Sequence, residues 1–296
     1  MSEQRTNELL NKFDDWNRGV IKELLPGWCR NVAKNLEIAT TSMDFKQGCA
    51  RTKHCIVVAS GPSLTDDEVM SLKNYSGDII VCNKVFKRFL DLGVVPDWCL
   101  LLDSNAMSEE QFRFLKERTL VQTKFLISTT AFPATVRAIH DHVKGRPNQF
   151  YMFNPTVGIE GDMDVTTVWK WMNGCPELSH GGNVGTMAFM FARDRGYEVI
   201  GLLGYDLYEE LDPKWTVEQA KEREYLYFPD MDEVVAIPFQ FLAYSQCLAN
   251  TALIWHGNDP KGPRKAVNLS ESPLMRHINV FQQKKVKEYV EWTDEI

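Results

Sequence analysis

The chain has no basic excess: 33 Lys and Arg face 40 Asp and Glu, a formal net charge of −7. Proteins that bind nucleic acid ordinarily carry a basic face, so no nucleic-acid partner is expected. No apolar run is long enough to span a bilayer, and the opening MSEQRTNELLNKFDDW has no apolar signal core. The expectation is a protein without membrane contact, in the cytoplasm. None of the seven cysteines forms a CxxC pair, their number is odd, and Cys55, Cys82 and Cys99 fall inside apolar runs. They read as reduced cysteines, not as a disulfide framework or a zinc site. GxGxxG and a Walker lysine are missing as well, so no standard signature assigns a nucleotide. Neither internal repeats nor low-complexity segments occur.

What is present is an alternation. With 296 residues, 44% hydrophobic and 25% charged, the chain suits one large domain with appendages or two small ones. Leu9, Leu10, Phe13, Trp16, Val20 and Leu24 recur at helical spacing. Pro26-Gly27 should interrupt this helix, with a second short one over Trp28 to Leu36. From residue 54 onward, strands are expected at 54–59, 78–82, 98–102, 124–128, 149–153 and 198–203. Helices at 65–74, 84–92, 107–117, 133–143 and 184–195 separate them, and 154–182 reads as irregular. Beyond residue 207, WTVEQAKEREYLYF and PFQFLAYSQCLANTALIW read as helices, followed by a strand at 266–269 and a C-terminal helix in KKVKEYVEW. Short apolar strands alternating with helices call for a mostly parallel sheet. The fold expected is α/β, a Rossmann-like three-layer sandwich with helical N-terminal and C-terminal appendages. The divisions expected are 1–50, 51–270 and 271–296.

Open α/β sheets bind ligands at the carboxyl ends of their strands. The first strand ends in Ser60-Gly61-Pro62-Ser63, a candidate phosphate loop or a plain structural turn. Asn83 ends the second strand, as a nucleotide contact or a cap on the helix that follows. Asp103 follows the third strand, where a metal or a ribose hydroxyl would lie, and Asp97 is read as a brace for the turn after Pro96. His180-Gly181-Gly182-Asn183 precedes the later helix, with His180 either catalytic or bound to backbone. Asp206 follows the strand ending at Leu203 and is read as a ligand residue. His140 and His142 lie two apart on a helix and make no metal pair. The loop His256-Gly257-Asn258-Asp259 either closes over a ligand or simply turns.

Three runs carry a resemblance: VVASGPSL, IIVCNKVFKRFLDLGVVPDWCLLLDSN, and HGGNVGTMAFMFARDRGYEVIGLLGYDL. In this order they resemble the 6-hydroxymethylpterin diphosphokinase MptE-like family, which includes domains of bacterial motility accessory factors. The similarity covers roughly residues 54 to 207, and the late AVNLSES looks like the family's closing strand. The resemblance implies transfer of a diphosphate from ATP to an alcohol of a small cyclic substrate, with Mg²⁺. The segment around Gly93, Pro96, Asp97 and Asp103 is also similar to thiamine pyrophosphokinases. Those enzymes keep an acidic residue where this chain has Asn83, and a pair of aspartates where it has Asp103-Ser104. Asn83 in VCNKVF and the GPSL loop also resemble bacterial sialyltransferases, whose Asn contacts a cytidine nucleotide and whose base is a histidine.

The roles implied are then as follows. Ser60, Gly61, Pro62, Ser63, Asn83, Gly182 and Asn183 would bind nucleotide, Asp103 would hold Mg²⁺ or ribose, and Asp206 would orient the acceptor hydroxyl or share the metal. His180 would be the base in a glycosyltransferase. The expected partners are a nucleotide (ATP or a nucleotide-sugar) and a small-molecule substrate. A non-catalytic nucleotide-binding module is the alternative.

Overall fold

The computed structural model describes residues 3–295 except 43, 46–49, 119, 121, 158–164, 210, 222, 230 and 258–261. The strands are β1 (His54–Val58), β2 (Asp78–Cys82), β3 (Trp98–Leu101), β4 (Lys124–Ser128), β5 (Phe150–Pro155), β6 (Glu177–Leu178) and β7 (Val199–Leu203). They continue with β8 (Arg223–Phe228), β9 (Glu233–Pro238), β10 (Lys265–Asn268) and β11 (Gln282–Gln283). The first helices are α1 (Glu3–Ala39), α2 (Asp66–Ser71), α3 (Asn83–Asp91), α4 (Met107–Phe112), α5 (Pro133–His142) and α6 (Val165–Asn173). After them come α7 (Val184–Asp194), α8 (Val217–Lys221), α9 (Phe239–His256), α10 (Pro273–Arg276) and α11 (Val286–Thr293).

Among the described residues, nine strands form one sheet in the order β11-β10-β7-β1-β2-β3-β4-β5-β6, and every pairing in it is parallel. Strand β1 shows why its sequence is apolar throughout. Successive side chains point to opposite faces, and both faces are covered. Ile56 and Val58 pack with Val69 of α2, Phe86 and Phe89 of α3, and Tyr289 of α11. Cys55 and Val57 pack on the other face with Phe189 and Phe191 of α7 and Leu248 of α9. The result is the three-layer α/β sandwich. The chain runs outward from β1 to β6, returns through α7, and resumes with β7 on the opposite side of β1. The strand order therefore reverses between β1 and β7, and open α/β sheets bind ligands outside the strand carboxyl ends at such a reversal.

Several sequence expectations are corrected. Helix α1 continues through Pro26 as one element, although proline removes an interior hydrogen bond. Ile21 and Leu25 before it and Trp28 and Val32 after it join the same buried cluster with Val157 and Trp169. Tertiary packing thus holds both halves in line. The segment read as irregular contains α6 and β6. Its VTTV start is a poor helix former on propensity alone, and Trp169 secures it by packing against α1. The tail of WTVEQAKEREYLYF is strand, because Tyr225 to Phe228 belong to β8 and pair antiparallel with β9. Only Val217–Lys221 is helical there. The small β11 was not anticipated; it carries residues of the C-terminal segment into the main sheet. The six described cysteines are free thiols, whereas Cys49 lies outside the described residues. No helix among the described residues is long and apolar enough to cross a membrane.

Candidate functional site at the sheet reversal

The β1–α2 loop is bound to the β7 end by backbone. Ala59 N–H donates to Leu203 O at 2.9 Å and Gly61 N–H to Gly204 O at 2.9 Å, so the ladder continues past the strands. Ser63 N–H then donates to Asp206 Oδ2 at 2.8 Å. Gly61 permits this closure: a Cβ there would lie 2.0 Å from Asp206 Oδ2 and 2.5 Å from Gly204 O. The amides of Gly61 and Ser63 are therefore engaged within the chain. Helix α2 is capped by its own box, with Thr65 Oγ1 accepting from Glu68 N–H and Glu68 accepting from Thr65 N–H.

Asp206 is 2% exposed, and its Oδ1 is buried without a hydrogen-bond partner. Burial raises its carboxyl above the ordinary range, and hydrogen bonding from Ser63 offsets part of that rise. Two serines hold the backbone beneath it. Tyr205 N–H donates to Ser270 Oγ at 2.8 Å, and Ser272 Oγ donates to Asp206 O at 2.7 Å. These serines give AVNLSES a function that its sequence did not disclose.

The start of α7 packs on the other face of the sheet, against the ends of β1 and β7. Asn183 is its N-cap, accepting Thr186 N–H at 2.9 Å. Tyr205 Oη donates to Gly185 O at 2.7 Å, and the Gly185 Cα faces Ala59 Cβ. The helix thereby presents its positive end beside β1 and β7. The amides of Val184 and Gly185 have no acceptor among the described residues. Gly182 (φ +95°) lies flat against α9, where a Cβ would come within 2.2 Å of Tyr244 Cε1. His180 Nδ1 accepts Gly182 N–H at 3.0 Å. Burial lowers its pKa, and a backbone hydrogen bond with Thr156 opposes that effect. Backbone thus engages the imidazole in its neutral form.

A second cluster lies at the ends of β2 and β3. Asn83 opens α3 and is 2% exposed. Its side chain does not cap the helix; Nδ2 donates to Asp103 Oδ2 at 2.7 Å and to Gln111 Oε1 at 2.5 Å. Gln111 sits on α4 with no motif around it, and the sequence reading missed it. Helix α1 braces the neighbouring loops. Asn31 Nδ2 donates to Ser104 O and Thr130 O, and Asn35 Nδ2 to Thr129 O and Ala131 O, all at 2.9–3.0 Å. Trp28 Nε1 adds a bond to Ser104 Oγ at 3.2 Å. No hydrogen bond among the described residues joins this cluster to Asp206.

Asp97 lies at the amino end of β3, where its Oδ2 accepts Ile79 N–H at 2.9 Å. It is a brace on the side opposite the strand carboxyl ends. His256 Nε2 accepts Ala266 N–H at 2.9 Å, while Asn258 and Asp259 of the same loop lie outside the described residues. For Mg²⁺, the β2–β3 cluster offers a single carboxylate, Asp103, with one oxygen already bonded to Asn83. Among the described residues no three His, Cys, Asp or Glu groups come together. These residues do not fit a metal site built by the protein itself.

An all-parallel sheet with an order reversal, a buried carboxylate at the reversal and a helix starting beside the first strand defines an open, Rossmann-like α/β protein. The chain belongs to the 6-hydroxymethylpterin diphosphokinase MptE-like family, whose sequence model matches residues 28–210. Among solved structures it is similar to a MAf glycosyltransferase from Magnetospirillum magneticum AMB-1, with a TM-score of 0.61 and 16% sequence identity. That similarity covers 88% of this chain and 40% of the glycosyltransferase chain, and it bears on the fold. No curated protein matches the sequence.

Proposed function

We propose that this protein is a cytoplasmic, nucleotide-dependent transferase that moves a group from an activated nucleotide to a hydroxyl. The observation that carries the reading is the pair of buried polar atoms at the sheet reversal, Asp206 Oδ1 and Ser63 Oγ, neither with a hydrogen-bond partner among the described residues. An orphaned buried acceptor costs about 1–3 kcal/mol, a cost that a ligand hydroxyl would relieve. In this reading the donor's phosphates lie at the open Val184 and Gly185 amides, where the α7 dipole favours negative charge. The Asn83–Asp103–Gln111 cluster binds the nucleoside, with Asp103 placed for ribose hydroxyls. Asp206 accepts the proton of the acceptor hydroxyl as its oxygen bonds to the donor and the nucleotide leaves. Its raised pKa brings it closer to the range useful for a general base.

Glycosyl transfer fits these groups better than diphosphate transfer, because the latter leans on metal charge that this cluster is poorly equipped to hold. Diphosphate transfer remains the second reading, favoured by the family's description and by the carboxylate of Asp103. Thermal-shift titration with ATP, CTP, CMP and nucleotide-sugars, each with Mg²⁺ and with EDTA, tests the first step. Stabilisation by a nucleotide that persists in EDTA, and transfer lost in Asp206→Asn while binding survives, are the expected results. No shift with any of these nucleotides would remove the transferase reading.

A further inference from the structure

A cavity begins three residues downstream of Asp206, and its far wall extends past residue 210, where the family match ends. It measures about 430 Å³ and is lined by Glu209, Leu211, Asp212, Pro213, Trp215 and Arg223. That volume lies within the usual range for small-molecule sites, roughly 300–1,000 Å³. Glu209 is fixed to β9 by a two-way backbone bridge with Ala236. Three residues of extended chain reach at most about 11 Å, so Glu209 stays close to Asp206.

Arg223 organises the cavity. Its guanidinium stacks 4.2 Å from the Trp215 ring centroid. Nε and Nη2 both reach Glu209 Oε2, at 2.7 and 2.6 Å, and Nη1 donates to Gln219 O. The arginine side chain is only 14% exposed. Of its five N–H groups, these contacts leave two without a partner among the described residues, and they leave Glu209 Oε1 open as an acceptor. Asp212 Oδ1 accepts Lys214 N–H at 2.8 Å, which leaves Oδ2 open too.

The charge balance narrows the ligand class. The lining carries two carboxylates against one guanidinium, and Glu209 already neutralises that cation, so a phosphate would meet net repulsion from the lining. The guanidinium also occupies a ring face where a ligand cation would stack. What remains is an indole, two fixed donors and two open carboxylate oxygens, a set suited to a neutral ring rich in hydroxyls. We infer that this cavity is a saccharide subsite, taking a pyranose ring from an acceptor whose hydroxyl reaches Asp206. Only the acceptor role rests on the transferase reading; saccharide binding does not.

The test is a ¹H–¹⁵N spectrum of the full chain, following tryptophan indole N–H peaks, with Trp215 assigned by its loss in Trp215→Phe. The probes are methyl α-D-glucopyranoside and methyl β-D-galactopyranoside, titrated through the millimolar range. At least one should shift the Trp215 peak saturably, and Arg223→Met should weaken that binding tenfold or more. Asp212→Asn, at an exposed side chain, should weaken it several-fold and covers the case in which Arg223→Met loses the hairpin. An unmoved Trp215 peak, a shift that never saturates, or affinity unchanged in Asp212→Asn overturns the subsite. A parallel nucleotide titration separates the two ideas. Glycoside binding without nucleotide binding removes the transferase reading and leaves the subsite, and the reverse result removes the subsite alone.

Discussion

Gly61 and Asp206 meet so closely that a β-carbon on the glycine would lie 2.0 Å from Asp206 Oδ2. Gly61→Ala must push that carboxylate off the Ser63 amide, and it also presses on Gly204 O, which is backbone and yields little. Overpacking of this kind typically costs about 1–3 kcal/mol. Urea unfolding should show a loss in that range, and nucleotide titration should show weakened binding. A variant as stable as the parent would mean that the loop has room the structure does not show.

Asp206 should also make stability depend on pH. Its folded pKa is raised, chiefly by burial. The native state therefore holds this proton at pH values where the unfolded chain, with an Asp pKa of about 3.9, has released it. The stabilisation from this group is complete below the unfolded value and is lost as pH rises through the folded one. Asp206→Asn removes the titration. Denaturation across pH 4 to 7 should show the parent losing stability relative to Asp206→Asn as pH rises; parallel curves would contradict the assigned shift.

Much of this was legible because parallel strands buried on both faces must be apolar along their length. The runs at 54–58, 78–82, 98–101, 124–128 and 199–203 announce themselves. The strand-end rule also brought Asp103, Asn83 and Asp206 into view. Which of the candidates pair, and the part of Gln111, stayed hidden because the pairings are long-range: Ser63 meets Asp206 across 143 positions and Asn83 meets Gln111 across 28. No local pattern encodes such contacts. Local signals failed too where packing overrode them, as at Pro26 within α1 and in the helix-like lead into β8.

Asn83, Asp103 and Gln111 form one hydrogen-bonded unit around the buried Asn83, in which a single amide group serves two half-buried acceptors. Asn83→Asp replaces that donor with a carboxylate facing Asp103. Like charges at such range are repulsive, and one of the two must take up a proton or move. Lower stability at pH 7 that partly recovers at pH 5 is expected, together with loss of nucleotide binding. Asn83→Ala should lose binding without the pH-dependent recovery. Chemical denaturation at both pH values distinguishes the variants, and equal pH responses would mean that Asp103 does not face Asn83 in solution.

Asn31 and Asn35 stand one turn apart on α1, and their amides bind four carbonyls in the loops after β3 and β4. Phe132 N–H donates to Asp103 O at 3.2 Å, so the second loop is in turn tied to the residue beside Asn83. The N-terminal helix therefore sets the position of the β2–β3 cluster from outside it. Asn35→Leu leaves the carbonyls of Thr129 and Ala131 without this donor. Each buried acceptor so deprived costs about 1–3 kcal/mol. Asn31→Ala, at a less buried position, should cost less and act chiefly through Ser104. Hydrogen exchange should register faster opening in both loops of Asn35→Leu, while the amides of β1 and β7 exchange as in the parent. If nucleotide affinity falls in step with loop opening, α1 positions the cluster. Faster loop exchange with full affinity would make α1 a structural strut with no part in the site.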